Sequence, residues 1–218
     1  MKLSSALLSG LVLSLFASAP ARGADFNGDG FADLVVITPL EATGLPAVPG
    51  YNVAVHVLYG VSNSGLGSLG NQFLINPGKV PTPGIGGGDF GTAMVTGDWN
   101  GDGVTDLAVS LPDELVNGKP NCGAVYEYLG GPNGLVLRRG LHQDLKGIKG
   151  KATSGDFFGR SLAAGDFDGD GRDDLAVGVE ETIKGHVLAG AVHVVYGGKQ
   201  GLSKRDAIWH QDSPGIRD

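Results

Sequence analysis

Cysteine is almost absent from this chain of 218 residues, which contains Cys122 and no other. A single thiol cannot form an internal disulfide, so a disulfide framework is excluded. No segment shows a convincing 3.6-residue hydrophobic period, so the sequence gives no sign of amphipathic helices. Glycine, in contrast, is abundant: its 39 residues are typical of a fold with many tight turns.

Long apolar runs are also scarce. The run at 6–16 follows Lys2 and precedes small residues, which is the arrangement of a secretory signal peptide. We therefore predict a signal peptide over residues 1–23, cleaved after Ala21 or Gly23, and a secreted, extracellular mature chain. A retained signal anchor is the alternative. The run is too short to span a bilayer, and no later stretch predicts a membrane span.

A strong excess of charge of one sign is missing as well. The formal net charge is -7, but ten of the 23 acidic residues are the loop aspartates described below. The remaining 13 nearly balance the 16 Lys and Arg residues. A basic face is therefore not indicated, and we expect no nucleic-acid partner.

Three acidic segments of nine residues stand out, at 25–33 (loop 1), 98–106 (loop 2) and 166–174 (loop 3). Each has oxygen-bearing side chains at positions 1, 3, 5 and 9, a glycine at position 6 for the sharp turn, and a position 7 that can offer its backbone carbonyl. This pattern predicts about three Ca²⁺ ions, one per loop. The predicted ligands are Asp25, Asn27, Asp29, Phe31 and Asp33 in loop 1, Asp98, Asn100, Asp102, Val104 and Asp106 in loop 2, and Asp166, Asp168, Asp170, Arg172 and Asp174 in loop 3.

Two other interpretations of the loops are weaker. An EF-hand needs a bidentate Glu at position 12 and flanking helices. Position 12 is valine each time (Val36, Val109 and Val177), in short apolar runs typical of buried strands. Ordinary Asp- and Gly-rich turns bind nothing, but they do not require the carboxylate kept at position 9. Magnesium fits less well, because it prefers a rigid octahedral site.

Loop 3 differs from the other two in its charge. It carries four ligand carboxylates where the others have three and an asparagine, so we expect it to bind calcium most tightly. Asp173 is adjacent to its position-9 ligand and is expected to point away from the metal.

The loops belong to an internal repeat, since their first aspartates are 73 and then 68 residues apart. A Phe-Gly pair begins eight residues before loops 2 and 3, at Phe90 and Phe158, which leaves room for one strand. After each loop and its strand comes an alternating run, at 53–59, 124–129 and 191–196, and then a glycine turn and a fourth segment. The sequence predicts an all-β fold of β-propeller blades, each with four antiparallel strands.

The order Phe-Gly, acidic loop, Asp-Leu-Ala-Val and Gly-Ala-Val resembles the FG-GAP repeat of integrin α-subunit head domains and of many bacterial exported proteins. The resemblance implies that the loop joins the first two strands of a blade, on the face opposite the usual ligand surface. It implies a partial blade 1 at 24–76 without its first strand, blade 2 at 88–145, blade 3 at 155–212, and the start of a link to a further repeat at 213–218. The Gly-Ala-Pro element of the family is degenerate in all three units.

About three blades make an incomplete ring, because propellers have four to eight blades and the integrin-type ring has seven. We expect that the chain is a fragment of a longer propeller or that it associates with itself to close the ring. Repeat arrays without caps usually need such help.

No catalytic constellation is present in the sequence. The triplet His-Gln-Asp at 142–144 could suggest an acid–base pair, but it recurs at 210–212, and repeat-equivalent residues are more typical of blade packing. A Gly-x-Ser-x-Gly motif is missing. We predict a noncatalytic exported binding or cell-adhesion module with structural calcium and an unknown protein or carbohydrate ligand at the extracellular surface. The alternative is an accessory propeller of a larger secreted hydrolase whose catalytic domain lies outside this chain.

Overall fold

The computed structural model describes residues 23–39, 53–68, 70–75, 77, 90–180 and 190–216. These ranges contain 13 β-strands and no helix, so the all-β prediction is confirmed. The predicted signal peptide lies almost wholly outside the described residues. Within them, no helix is long and apolar enough to cross a membrane. The strands are β1 (Leu34–Pro39), β2 (Val53–Leu58), β3 (Gly60–Val61), β4 (Gly65–Leu66), β5 (Gln72–Leu74), β6 (Met94–Gly97), β7 (Asp106–Leu111), β8 (Ala124–Leu129), β9 (Val136–Leu141), β10 (Leu162–Gly165), β11 (Asp174–Val179), β12 (Ala191–Val195) and β13 (Asp206–Trp209).

The strands form three antiparallel blades. Blade 2 has the order β6-β7-β8-β9 and blade 3 the order β10-β11-β12-β13, whereas the described part of blade 1 has three strands, β1-β2-β5. Strands adjacent in sequence are adjacent in each sheet, as in a propeller blade. The short strands β3 and β4, between β2 and β5 in the chain, form a separate two-stranded sheet. The predicted four-stranded blades are therefore confirmed, and the described residues do not close a ring.

The second and third strands pair in the same register in all three blades, which makes their residues structurally equivalent. Leu58 pairs with Leu34 in blade 1, Tyr128 with Leu107 in blade 2, and Val195 with Leu175 in blade 3. Since side chains alternate between the faces of a strand, each residue of the third strand has an equivalent partner on the second strand in every blade.

Apolar side chains fill the space between the blades. One cluster joins blade 1 to blade 2, with Val55 and Val57 from β2 and Leu107 and Val109 from β7. A second cluster joins blade 2 to blade 3; its members include Val125, Leu141, Phe158, Leu175 and Val177. The core of the molecule therefore lies between the sheets, as expected for stacked layers.

The Phe-Gly pairs are part of these clusters. Phe90 and Phe158 are fully buried against the preceding blade, and Phe158 N–H donates to the carbonyl of Cys122 at 2.9 Å. Gly123 has φ +84°, and a Cβ there would lie 2.2 Å from the Phe158 carbonyl oxygen. Only glycine satisfies both the left-handed backbone and this close crossing. The position of the Phe-Gly pair thus fixes how one blade packs on the one before it.

Candidate metal centre

Each acidic loop leads into the second strand of its blade. Loop 2 connects β6 to β7 and loop 3 connects β10 to β11, while loop 1 leads directly into β1. A strand, rather than the helix of an EF-hand, therefore follows each loop. The metal ligands predicted for all three loops lie in the described residues, so their geometry can be compared position by position.

The aspartate at position 1 organises the turn. In loop 2, Asp98 Oδ1 accepts hydrogen bonds from the N–H groups of Gly101 and Asp102 at 2.8 and 3.1 Å, and its Oδ2 accepts one from Gly103 at 2.8 Å. Asp166 accepts the same three hydrogen bonds in loop 3, and Asp25 accepts the corresponding bonds from Asp29 and Gly30 in loop 1. The hydrogen bond from Gly171 contributes most to a lowered pKa of Asp166. The backbone thus wraps around one ionised carboxylate.

Glycine at positions 4 and 6 makes this wrapping possible. The backbone is left-handed at both positions in every loop, with φ between +72° and +76° at position 4 and between +84° and +87° at position 6. Glycine adopts this conformation without steric cost. The sequence pattern predicts the glycine turn at position 6, and the structure shows that position 4 is left-handed as well.

Side chains at positions 3 and 5 complete the turn. Asn100 Oδ1 accepts from Asp102 N–H at 2.8 Å, and Asn100 Nδ2 donates to Asp102 Oδ2 at 2.8 Å. The N–H of Val104, at position 7, donates to Asp102 Oδ1 at 2.9 Å. The same contacts in loop 1 join Asn27, Asp29 and Phe31.

The aspartate at position 9 is buried and ties the loop to the third strand of its blade. Asp106 Oδ2 accepts from Trp99 N–H, and its Oδ1 accepts from the N–H of Gly130, just beyond β8, both at 2.9 Å. The equivalent contacts are those of Asp33 with Phe26 and Gly60, and of Asp174 with Phe167 and Gly197. Burial raises the pKa of all three carboxyls, that of Asp106 to about 7. A nearby cation would favour their ionised form.

Loop 3 brings three carboxylates together. One oxygen from each of Asp166, Asp168 and Asp174 lies within 4.8 Å of the other two. No other trio of acidic side chains in the described part of the chain is so close; loops 1 and 2 carry the amides of Asn27 and Asn100 at position 3. Clustered carboxylate oxygens are the donors that Ca²⁺ prefers. The residues of loop 3 therefore fit a calcium ion, which Asp166, Asp168 and Asp174 would hold.

Two arginines pair with acidic side chains of loop 3, one of which belongs to the trio. Asp170 lies outside the trio, and its carboxylate accepts from the backbone and guanidinium of Arg172 at 3.0 and 2.9 Å. Arg205, stacked 3.9 Å above the ring of Tyr196, contacts Asp168 through Nη2. The sequence did not indicate this pairing, since Arg205 and Asp168 are 37 residues apart. A count of carboxylates alone therefore does not decide which loop binds most tightly.

The repeated histidines lie in equivalent turns. The carbonyl of His142 accepts from Leu145 N–H at 2.9 Å, and that of His210 accepts from Ser213 N–H at 2.8 Å. A second hydrogen bond of the same kind follows in each turn, from Ile148 or Ile216. These contacts are those of a structural turn after the fourth strand.

Stacked four-stranded blades with one acidic loop each define the class of this molecule: it is a module of β-propeller type. The family model described as FG-GAP repeat matches residues 16–58 and 158–195. The chain is thus an FG-GAP repeat protein with repeats like those of integrin α-subunits, and the resemblance found in the sequence is confirmed.

Curated relatives of the chain include two groups of proteins. Integrin alpha-PS5 from Drosophila melanogaster is 34% identical over 156 residues, covering 71% of this chain and 14% of the relative. Phosphatidylinositol-glycan-specific phospholipase D is 28% identical over 193 residues in Dictyostelium discoideum and 32% over 195 in Mus musculus, covering 84% and 85% of this chain. The chain spans 14% to 22% of the length of these relatives.

Proposed function

We propose that this chain is an exported, noncatalytic binding or cell-adhesion module whose blades are stiffened by structural calcium. The observation that carries the proposal is the carboxylate trio of Asp166, Asp168 and Asp174 in a loop whose backbone contacts recur in loops 1 and 2. Similarity to proteins named integrin α supports the adhesion role. The apolar segment after Lys2 supports export.

Bound calcium would stabilise the folded state of the chain. Three carboxylates within a few ångströms repel one another, and a bound cation removes that repulsion while holding the turn in place. At free calcium 100 times Kd, one site stabilises the folded state by about 2.7 kcal/mol. For a chain of this length that corresponds to roughly 5–10 °C in Tm.

The Asp168→Ala variant tests the proposal. We expect it to bind one calcium fewer per chain by isothermal titration calorimetry and to lose roughly 5–10 °C of the Tm gain that calcium produces. In chelator the variant should be only slightly less stable than the parent chain, because the ion pair of Asp168 with Arg205 is solvent-exposed and contributes at most about 1 kcal/mol. Asp168→Asn gives loop 3 the donor set of loops 1 and 2, so it should weaken binding less.

Asp113→Ala is the matched control, since it removes one negative charge outside the loops. It should leave both the stoichiometry and the calcium-dependent Tm unchanged. Calcium is not the ligand if Asp168→Ala costs the same stability with and without chelator, or if the parent chain takes up no calcium.

A partner for the free face of blade 3 is part of the proposal. Val192, Trp209 and Ile216 on this face are 41%, 45% and 49% exposed. Their equivalents on blade 2, at 125, 141 and 148, are buried under blade 3. We propose that further repeats or self-association cover the face. Sedimentation at increasing concentration measures self-association, which Trp209→Glu should abolish.

A second candidate function is an accessory propeller of a larger secreted hydrolase. Similarity to phosphatidylinositol-glycan-specific phospholipase D from two organisms favours it. The purified chain should then show no phosphodiesterase activity by itself, and should raise the activity of a catalytic domain to which it is joined. Unchanged activity of the joined enzyme would contradict this candidate.

A further inference from the structure

Loops 1 and 2 contact each other through backbone and side chain. Thr105, at position 8 of loop 2, donates its N–H to the carbonyl of Asp25 at 2.9 Å. The N–H of Asp25 in turn donates to Thr105 Oγ1 at 3.0 Å. The first predicted metal ligand of loop 1 is therefore fixed on both its backbone N–H and its carbonyl by a residue of the next blade.

Loops 2 and 3 make the same pair of contacts with a different residue type. Asp173, at position 8 of loop 3, donates its N–H to the carbonyl of Asp98 at 3.0 Å. The N–H of Asp98 donates to Asp173 Oδ2 at 2.9 Å. Asp173 thus points away from its own loop, as expected, and reaches the loop before it. A threonine and an aspartate perform one task because both place an oxygen acceptor on a short side chain.

Two further contacts recur at both junctions. The position-7 side chain covers the position-4 glycine of the preceding loop: a Cβ at Gly28 or Gly101 would lie 3.2 Å from Val104 Cγ2 or Arg172 Cγ. The glycines after the third strands also reach back, with Gly131 N–H donating to Phe26 O at 2.9 Å and Gly198 N–H to Trp99 O at 3.0 Å. Each preceding loop is therefore completed by the blade that follows it.

We propose that Thr105 and Asp173 are positioning residues for the calcium site of the preceding loop. The inference rests on the proposed calcium function. The position-1 carboxylate can be a ligand only when its backbone is held in the turn, and the next blade holds that backbone at two points. By linkage, calcium in loop 1 or loop 2 strengthens the packing of the following blade to the same extent that this blade strengthens calcium binding.

Trp99 gives a local readout at loop 2. It is one of two tryptophans, it is fully buried at position 2, and its backbone N–H donates to Asp106, the predicted position-9 ligand. In a Trp209→Phe background, calcium titration followed by Trp99 emission reports this loop, and calorimetry reports the total number of sites. Asp173→Ala removes the hydrogen bond to Asp98 N–H. It should raise the calcium midpoint, the calcium concentration at half of the Trp99 emission change, about 2- to 12-fold.

Asp173→Asn keeps an oxygen acceptor but removes the charge, so its midpoint should stay within about twofold of the parent. Thr105→Val and Thr105→Ser repeat the comparison at loop 1 without any change of charge, by calorimetry. An unchanged midpoint in Asp173→Ala overturns the proposal, and so does equal weakening in Asp173→Asn, which would indicate a charge effect. A parent chain without any calcium response refutes the calcium function itself, and this inference with it.

Discussion

Glu127 provides the sharpest test of how the blades are joined. It lies on β8, fully buried on the face toward blade 3, and its carboxylate accepts from Arg138 Nη1 at 2.7 Å and Arg139 Nε at 2.9 Å. It also accepts from the N–H of Leu202 in blade 3 at 2.6 Å. The equivalent residues Val57 and Val194 are apolar. We consider the substitution Glu127→Ala.

The magnitude follows from what is left unpaired. Removing one partner of a buried ion pair costs about 3–5 kcal/mol. Here the guanidinium groups keep partial access to water, because the Arg138 and Arg139 side chains are 26% and 18% exposed. We therefore expect the lower end, about 3 kcal/mol, which includes the unpaired N–H of Leu202. That loss corresponds to a fall in Tm of roughly 6–12 °C.

Urea unfolding followed by circular dichroism, with and without calcium, measures this loss. The loss should be equal in calcium and in chelator, because Glu127 contacts no acidic loop in the described residues. Glu180→Ala is the control: its pair with Arg160 is exposed at 3.4 Å and contributes at most about 1 kcal/mol. If Glu127→Ala costs no more than Glu180→Ala, the buried network does not hold blade 3 to blade 2.

Three further predictions concern the core and the loops. Phe158→Ala should lower the free energy of unfolding in urea by about 3–5 kcal/mol. Phe167→Ala is the control and should lower it by less than about 1 kcal/mol, because the Phe167 side chain is 54% exposed. Equal losses would contradict the packing of the Phe-Gly pair. Arg205→Ala should tighten calcium binding to loop 3 in calorimetry, because Arg205 competes for Asp168; weaker binding would show that it does not. Burial raises the folded-state pKa of Asp106 from 3.8 to about 7. The calcium-free protein should therefore lose stability as the pH rises from 4 to 7, because the unfolded chain releases this proton first. The increase in stability that calcium produces should grow over the same pH range. Melting of the calcium-depleted parent and of Asp106→Asn at pH 5 and 7.5 measures this, and an equal pH dependence in both proteins would refute it.

The strands and the blade order could be predicted because their determinants are local. The alternating runs at 124–129 and 191–196 became β8 and β12 with nearly the predicted bounds. The segments between the Phe-Gly pairs and the loops became β6 and β10, although only four residues of each are strand. Strand ends differ more, because they depend on where a neighbouring strand stops pairing.

The sequence by itself determined the turn chemistry and the period of the repeat. A left-handed glycine, an aspartate that accepts from the next few N–H groups and the two-residue alternation of strands each act over fewer than ten residues. These features place the predicted metal ligands of loops 1, 2 and 3 within each turn.

Only the tertiary structure decided which distant groups meet. The contact of Asp173 with Asp98 spans 75 residues, and that of Glu127 with Leu202 spans 75 as well. A register shift next to Glu127, between β8 and β9, accompanies its pairing with both Arg138 and Arg139. Such pairings depend on how one blade stacks on the next, and no local sequence pattern predicts contacts between residues so far apart in the chain. The local sequence therefore determines the conformation of each loop, whereas the packing of the blades determines the contacts between loops.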